Sequence, residues 1–369
     1  MSAAMVLPLP DVTRIAVLRP CAVGDFVFAL PALTALRETY PQASITLLGK
    51  PWQAEFLAGR PGPIDRVVVL PPVCGVGAAP DAVEDPAAIA RFLDDLNAEP
   101  FDLAIQLYGG GGYSNPFLRR IAARHYLGMH APDAPRLTRS LPYVYLQNER
   151  LRLLEVVGLV GARTATLDAR LAVLPRDLAE ADRAVPPAEV PLVLIQPGAT
   201  DPRRRWPPER FAAVADALAA AGARIAVNGG PDERELVRAV IANMHHPAID
   251  LAAHGLSLSG LVGVLRRATL LVSNDTGPLH LAQAVGTASV GIYWFTNLLI
   301  SAPLVAARQC HTVSLRVHCP ECGREIAQGP CSHTASLVAD VTEHEVRQAA
   351  LTLYREVSAS RAIASLSTV

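Results

Sequence analysis

Charge is scarce in this chain of 369 residues: 18% are Asp, Glu, Lys or Arg, and 33 basic residues against 34 acidic ones leave a net charge of −1. A protein held to nucleic acid by phosphate neutralisation needs a basic surplus, so a global affinity of that kind is excluded and only local basic patches remain open. Disorder is excluded as well, because 51% of the residues are hydrophobic, enough to fill cores. No apolar run approaches the roughly 18–20 residues that cross a bilayer. Met1 to Pro10 contains no basic residue and two prolines, unlike a secretory signal, so the expected compartment is the cytoplasm. The 6 cysteines are too few for a disulfide scaffold at this length, in keeping with reducing surroundings. No Gly-x-Gly-x-x-Gly follows the first strand, which argues against a dehydrogenase. No repeat of roughly 20–50 residues is visible, which excludes a solenoid.

What is present is a short apolar run, a loop of small residues and an amphipathic helix, repeated many times. Strands are expected at Arg14–Leu18, Ser44–Leu48, Arg66–Leu70 and Leu103–Leu107, with helices from Asp25 to Tyr40 and from Pro86 to Asn97. Apolar, non-alternating strands that alternate with helices imply a parallel sheet covered on both faces. The proline-rich stretch Val185–Pro191 reads as a linker. After it the pattern restarts, with strands at Leu192–Gln196, Ala223–Asn228, Leu270–Ser273 and Ser289–Tyr293. Helices are expected at Pro208–Ala221, Pro231–Asn243, Leu258–Arg267 and Pro278–Val285. The chain is therefore expected to be α/β, with two Rossmann-like doubly wound domains, 1–185 and 186–369, facing across a cleft, and with the C-terminal helix free to pack back on the first. Ligands of such sheets bind beyond the carboxyl ends of the strands.

Two segments of the second half carry the strongest chemistry. In Leu270–Ala282 a strand runs directly into Asp275-Thr276-Gly277-Pro278, and Pro278 suits a first helical position because its missing N–H would be unpaired there. The free N–H groups and positive dipole end of that helix offer a cradle for a diphosphate, with the Thr276 hydroxyl and His280 within reach; a plain helix cap reads the same way. Gln196–Pro207 leaves another strand end and brings Thr200 and three consecutive arginines, Arg203 to Arg205, to the same rim. Guanidinium groups there suit a departing nucleoside diphosphate, and a solvated basic loop is the simpler alternative. Asp232 and Glu233 follow a third strand end, as ribose acceptors or as first-turn acids. In the first half, Gly24-Asp25 joins the first strand to the first helix, where a carboxylate serves either as general base or as helix cap. Gly109 to Gly112 allows close backbone approach, and Arg119, Arg120 and Arg124 form a small basic cluster on what reads as the next helix.

Taken together, Gly24-Asp25 with Leu30-Pro31-Ala32-Leu33, Pro197-Gly198 through Arg205-Trp206-Pro207, and Asn274-Asp275-Thr276-Gly277-Pro278 with His280 resemble the family 9 glycosyltransferases, the ADP-heptose:lipopolysaccharide heptosyltransferases. The resemblance runs from Arg14 to about Leu351. It implies a GT-B fold, acceptor in the first domain and donor in the second, and inverting, metal-independent transfer of heptose from ADP-heptose to a lipid-linked lipopolysaccharide core, with no cofactor. Asp25 then matches the catalytic base and Arg204 the basic residue facing the donor phosphates. Thr200, Asp232, Asp275, Thr276, Gly277 and His280 match donor contacts, while Gly24, Gly110 and Arg120 stand on the acceptor side. The family works in the cytoplasm at the inner-membrane face, which leaves room for peripheral membrane contact. A transferase using another nucleotide sugar or a protein acceptor, and a nucleotide-sugar-binding protein without turnover, are the alternatives.

The chain departs from the family pattern at Ala199, where a hydroxyl residue often contacts phosphate, and at Trp294-Phe295-Thr296-Asn297, which replaces a Phe-Gly-Pro-Thr-like turn and bears on donor identity. Late in the chain, Cys319 and Cys322, then Cys331-Ser332-His333, offer thiolate and imidazole at spacing tolerable for zinc. The strict two-pair signature is absent, and free thiols in a loop are the competing reading.

Overall fold

The computed structural model describes residues 6–305, 307–326 and 331–366; the first half of the Met1–Pro10 stretch lies outside them. The chain forms two compact units, Met1–Ala172 and Val173–Val369. The first contains β1 (Arg14–Leu18), α1 (Val23–Thr39), β2 (Ser44–Gly49), α2 (Pro51–Leu57), β3 (Arg66–Val69), α3 (Pro86–Asn97), β4 (Phe101–Gln106), α4 (Ser114–Leu118), β5 (Ala123–His130), β6 (Arg139–Pro142) and α5 (Glu149–Gly158). The second contains α6 (Pro175–Ala184), β7 (Leu192–Gln196), α7 (Pro208–Ala220), β8 (Arg224–Val227), α8 (Arg234–Ala242), β9 (Ala248–Asp250), α9 (Leu258–Arg267), β10 (Leu270–Asn274), α10 (Gly277–Ala284), β11 (Ala288–Trp294), α11 (Phe295–Ser301), β12 (Gln309–Ser314) and α12 (Glu343–Leu366).

Both sheets are parallel and share one topology. The strands lie in the order β3-β2-β1-β4-β5-β6 in the first and β9-β8-β7-β10-β11-β12 in the second, the doubly wound Rossmann order. The central strands explain why the sheets are parallel and covered. Ile15 to Leu18 of β1 and Val193 to Ile195 of β7 are wholly buried, as an unbroken apolar run must be when helices lie on both faces. β5 and β6 carry little apolar signal, and the sequence does not announce them. β6 is an edge strand, and an edge tolerates residues such as Arg139, Ser140 and Pro142 that a central ladder would reject.

The units divide between Ala172 and Val173 rather than in the proline-rich stretch at 185/186, which is irregular as expected but lies inside the second unit. α6 belongs to the second unit because it packs on α9. A Cβ added to Gly263 would lie 2.0 Å from the Asp177 carbonyl oxygen, so the two helix backbones touch at that point. Glu180 reinforces the pair by accepting from the Ser257 N–H (2.7 Å) and hydroxyl (2.6 Å) at the start of α9. At the other end of the unit, α12 packs along α7 and against β10, β11 and β12.

Gly263→Ala sets two effects against each other. Helix propensity alone would stabilise α9 by about 1 kcal/mol, whereas overpacking costs about 1–3 kcal/mol. Because the clash is with backbone, packing should win. The substitution is expected to lower Tm in thermal unfolding, and a raised Tm would show that α6 and α9 are not in contact there.

Candidate functional site

Each sheet reverses its winding between two central strands, β1 and β4 in the first unit and β7 and β10 in the second. Loops leaving the carboxyl ends of such a pair diverge to opposite faces, and ligands of doubly wound sheets bind in the gap.

In the second unit the gap is organised by Asn274, the wholly buried last residue of β10. Its Nδ2 donates to the Pro197 carbonyl (2.7 Å) and its Oδ1 accepts from the Trp206 N–H (3.1 Å), pinning both ends of the loop after β7. Trp206 is itself buried, edge-on to Phe211 at 5.1 Å, and its Nε1 donates to the Val341 carbonyl (2.9 Å). The Ser336 hydroxyl donates to the Arg205 carbonyl (2.6 Å) and the Leu337 N–H to the Arg203 carbonyl (2.7 Å). Held in this way, the three arginines differ in their partners. Arg203 is forked on Asp201, with Nε and NH2 contacts of 3.0 and 2.7 Å. Arg205 Nε donates to the Ala199 carbonyl (2.9 Å). Arg204 reaches toward Asp275 with contacts of 3.4 Å only, and its side chain stays 26% exposed.

Asp275 is nearly sealed from solvent. It accepts from Asn297 Nδ2 (2.8 Å) and the Ser301 hydroxyl (3.0 Å), and faces His280 Nε2 at 3.1 Å. Burial pushes its carboxyl up, but His280, Arg204 and Ser301 outweigh burial and hold it below the usual carboxylate range. Asp275 is thus a fixed negative centre that orients a histidine and an arginine. Trp294–Asn297 is not a turn: Trp294 ends β11, and α11 begins at Phe295 to deliver Asn297 and Ser301 to that carboxylate. Thr276, extended at the start of α10 (φ −156°), caps no helix N–H with its hydroxyl. That hydroxyl and the dipole end at Gly277 are therefore available to an anion. Thr200 is exposed on the arginine loop, and Asp232 is exposed in a short turn after β8. Of the two acids there, Glu233 is the one held at the rim. It accepts from the Gly230 N–H (3.0 Å), and a Cβ on Gly198 would sit 2.0 Å from its Oε1.

In the first unit the corresponding lock is Arg19, buried just past β1. It donates to the Asp25 carbonyl through Nε (3.2 Å) and NH2 (2.7 Å) and to the Leu107 carbonyl, and it pairs with Glu149 (3.1 Å). Burial would lower its pKa, yet Cys21, Glu149 and Asp25 raise it above the ordinary value, so the charge persists. Asp25 is not a cap: α1 starts at Val23 with Ala22 before it, and Asp25 lies in the first turn with an exposed carboxylate. Gly24 stands beside it. Gln106, buried at the end of β4, donates to the Gly109 carbonyl (2.9 Å) and accepts from the Met129 N–H (3.1 Å), which shapes the loop holding Gly110. Gly111 adopts φ +89°, and a Cβ there would meet the Met129 carbonyl at 2.6 Å, so only glycine fits.

Arg120 does not join Gly24 and Gly110. The chain crosses through α4 to the amino edge of the sheet, where Asn97 donates to the Arg120 carbonyl (2.9 Å) and Phe101 N–H, at the start of β4, donates to the Ala122 carbonyl (2.8 Å). Arg119 follows α4, and Arg124 lies on β5 paired with Asp102 (2.7 Å), so these residues form no basic helix face.

Later in the second unit, the sulfurs of Cys319, Cys322 and Cys331 and a ring nitrogen of His333 all lie within 4.8 Å of one another. Backbone N–H groups of Cys322 and Glu321 hold the Cys319 thiol down to about 6. Among the described residues no helix is long and apolar enough to cross a membrane.

A family model for glycosyltransferase family 9 (heptosyltransferase) matches residues 89–328. The lipopolysaccharide core heptosyltransferase OpsX of Haemophilus influenzae is 24% identical over 299 residues, 78% of this chain and 80% of that protein. Shorter matches to two further heptosyltransferases span 33% and 35% of those proteins. The crystal structure of a family 9 glycosyltransferase from Veillonella parvula superposes with a TM-score of 0.74 at 22% identity, covering 96% of this chain and 99% of that one. The ADP-heptose LPS heptosyltransferase II of E. coli gives 0.68 at 18% identity, with 93% and 99% covered. The two-Rossmann GT-B architecture is therefore shared.

Because the Asp275 carboxyl is held low, its interactions stabilise the fold above the unfolded carboxylate pKa of about 3.9 and are lost as pH falls through the lower folded value. Asp275→Asn should destabilise at pH 6 by on the order of 2–3 kcal/mol, with the gap to wild type closing below about pH 4. Denaturant unfolding across pH checks this; a gap that widens in acid would contradict the assignment.

Proposed function

The chain belongs to glycosyltransferase family 9, the heptosyltransferases, and we propose that it transfers heptose from ADP-heptose to a lipopolysaccharide core acceptor by direct displacement at the anomeric carbon, with inversion and without a catalytic metal. The observation that carries the donor reading is the sorting of the arginines: Arg203 and Arg205 are committed within their loop, while Arg204 is left partly exposed beside Asp275 and His280. A guanidinium there, with the start of α10 and the Thr276 hydroxyl, supplies the positive field that a leaving diphosphate needs. The name of the E. coli structure, an ADP-heptose LPS heptosyltransferase, and that of OpsX, a lipopolysaccharide core enzyme, support this donor and acceptor.

On the acceptor side, Asp25 takes the proton from the attacking hydroxyl; its carboxylate is exposed while its carbonyl is fixed by Arg19. Gly24 and the Gly110 loop line that rim. Thr200, Thr276, Gly277 and His280 contact the donor, with Asp275 behind them as a positioning residue, and Asp232 reaches the ribose. A lipid-linked acceptor places the enzyme in the cytoplasm against the inner face of the inner membrane.

Asp25→Ala should lower kcat by about 10²–10⁴-fold with ADP affinity nearly unchanged, and retained turnover would refute the base. Arg204→Ala should weaken ADP binding and cut kcat by about 10²–10³-fold; unchanged kinetics would remove it from the donor site. In a thermal-shift screen ADP-heptose should raise Tm more than UDP- or GDP-sugars do. A larger shift with another nucleotide sugar would replace heptose as the donor, and binding without turnover on any acceptor would favour a sensor.

A further inference from the structure

Cys319 belongs to the core of the second unit and Cys331 packs against it, but a backbone device brings a third thiol to them. From Cys319 to Arg324 the chain forms a tight knuckle. The Gly323 N–H donates to the Cys319 carbonyl (2.9 Å), the Cys319 N–H donates to the Arg324 carbonyl (2.8 Å), and His318 bridges Glu325 antiparallel. Gly323 at φ +70° allows the reversal. Such a turn aims the side chains of residues i and i+3 at one point. Cys331 and His333 meet them there, with His333 Nδ1 3.7 Å from Cys319 Sγ and Nε2 3.9 Å from the Glu321 carboxylate. Cys319 is buried, but Cys322 is exposed and Cys331 is only half-buried. Hydrophobic burial does not account for the exposed Cys322 or for the imidazole converging on the other two thiols, and all three cysteines are free rather than disulfide-bonded.

We propose that Cys319, Cys322, Cys331 and His333 bind one zinc ion in a closed, structural site. Tetrahedral zinc holds sulfur at about 2.3 Å, which puts two ligand sulfurs roughly 3.8 Å apart; atoms already within 4.8 Å need only a small inward movement. Three thiolates and an imidazole suit zinc in preference to harder ions, and four protein ligands leave no position open to water or substrate. Glu321 stands where an outer carboxylate fixes the ring of a ligating histidine. Arg203, whose guanidinium lies in the field of Cys331 and Cys319, offsets the net negative charge of such a centre.

The ion would anchor Cys331–His333 immediately ahead of Ser336 and Leu337, the residues that bond the Arg205 and Arg203 carbonyls. Zinc would therefore hold the backing of the arginine loop. This consequence rests on the donor role proposed for Arg204, whereas the metal content does not.

Elemental analysis of the full chain, purified untagged without chelator from zinc-supplemented culture, should give about one zinc per chain, and Cys322→Ser and Cys331→Ser should each fall below about a tenth of that. Cobalt added to the metal-stripped wild type should produce thiolate-to-metal charge transfer and the strong visible bands of a tetrahedral site, a readout that does not depend on either variant folding. Background metal with no cobalt spectrum would overturn the proposal, as would zinc retained in both variants, or an intact mass two hydrogens short that reveals a disulfide. Iron in place of zinc would overturn the choice of metal. Stripping the zinc should weaken ADP binding by about tenfold, about 1.4 kcal/mol. Unchanged ADP affinity in a protein shown to bind zinc would leave the site standing and sever its link to the donor loop.

Discussion

A carboxylate taken out of water stays charged only if several partners replace its hydration, and the second unit is arranged around that requirement. Asp275 sits at the carboxyl end of β10 and draws on three separate elements: His280 from α10, Asn297 and Ser301 from α11, and Arg204 from the loop after β7. None of these can move far without stranding a buried charge. The first unit solves the same problem with the sign reversed. Arg19 is the buried charge at its switch point, with the Asp25 and Leu107 carbonyls and the Glu149 carboxylate as partners. In both units an ion that burial disfavours sets the positions of the loops a substrate would meet.

Asn274 and Gln106 complement these ions with neutral bonds. Each lies wholly buried at the last position of a central strand and spends its amide on the loops beyond. A side chain that both donates and accepts can pin two backbones at once, which an ion of one sign cannot.

This arrangement was partly legible in the sequence. The strands were, because apolar runs at Ile15–Leu18, Val193–Ile195 and Leu270–Val272 leave a central parallel strand as the economical reading. The loops that carry Asp25, Arg204 and Asp275 were also legible, since they follow those strands directly. What each side chain does there was not. Asp275 reads as a ligand contact until Asn297 and Ser301 close on it, and those arrive from a segment that stands where the family pattern has a turn. Arg120 reads as an acceptor contact because it clusters with Arg119 and Arg124 in the chain, but α4 carries it to the amino edge of the sheet, away from Gly110. One further signal lies in the strand ends. Arg19, Gln106, Gln196 and Asn274 each put a polar residue where an apolar central strand ends, and all four are buried. A polar residue that stays buried at a strand end has a bonding task, and that task locates the switch point.

The clamp on the arginine loop carries a consequence for how the protein is made. Residues 203–206 take their backbone and indole partners from residues 336–341, up to 135 positions later in the chain. As the polypeptide leaves the ribosome, the first unit and most of the second sheet exist before those partners do. Domains fold largely as they emerge, so the arginine loop is among the last parts to take its shape. A nascent or prematurely terminated chain would have the rim of its first unit formed and the arginine loop of its second still unclamped until synthesis is nearly complete.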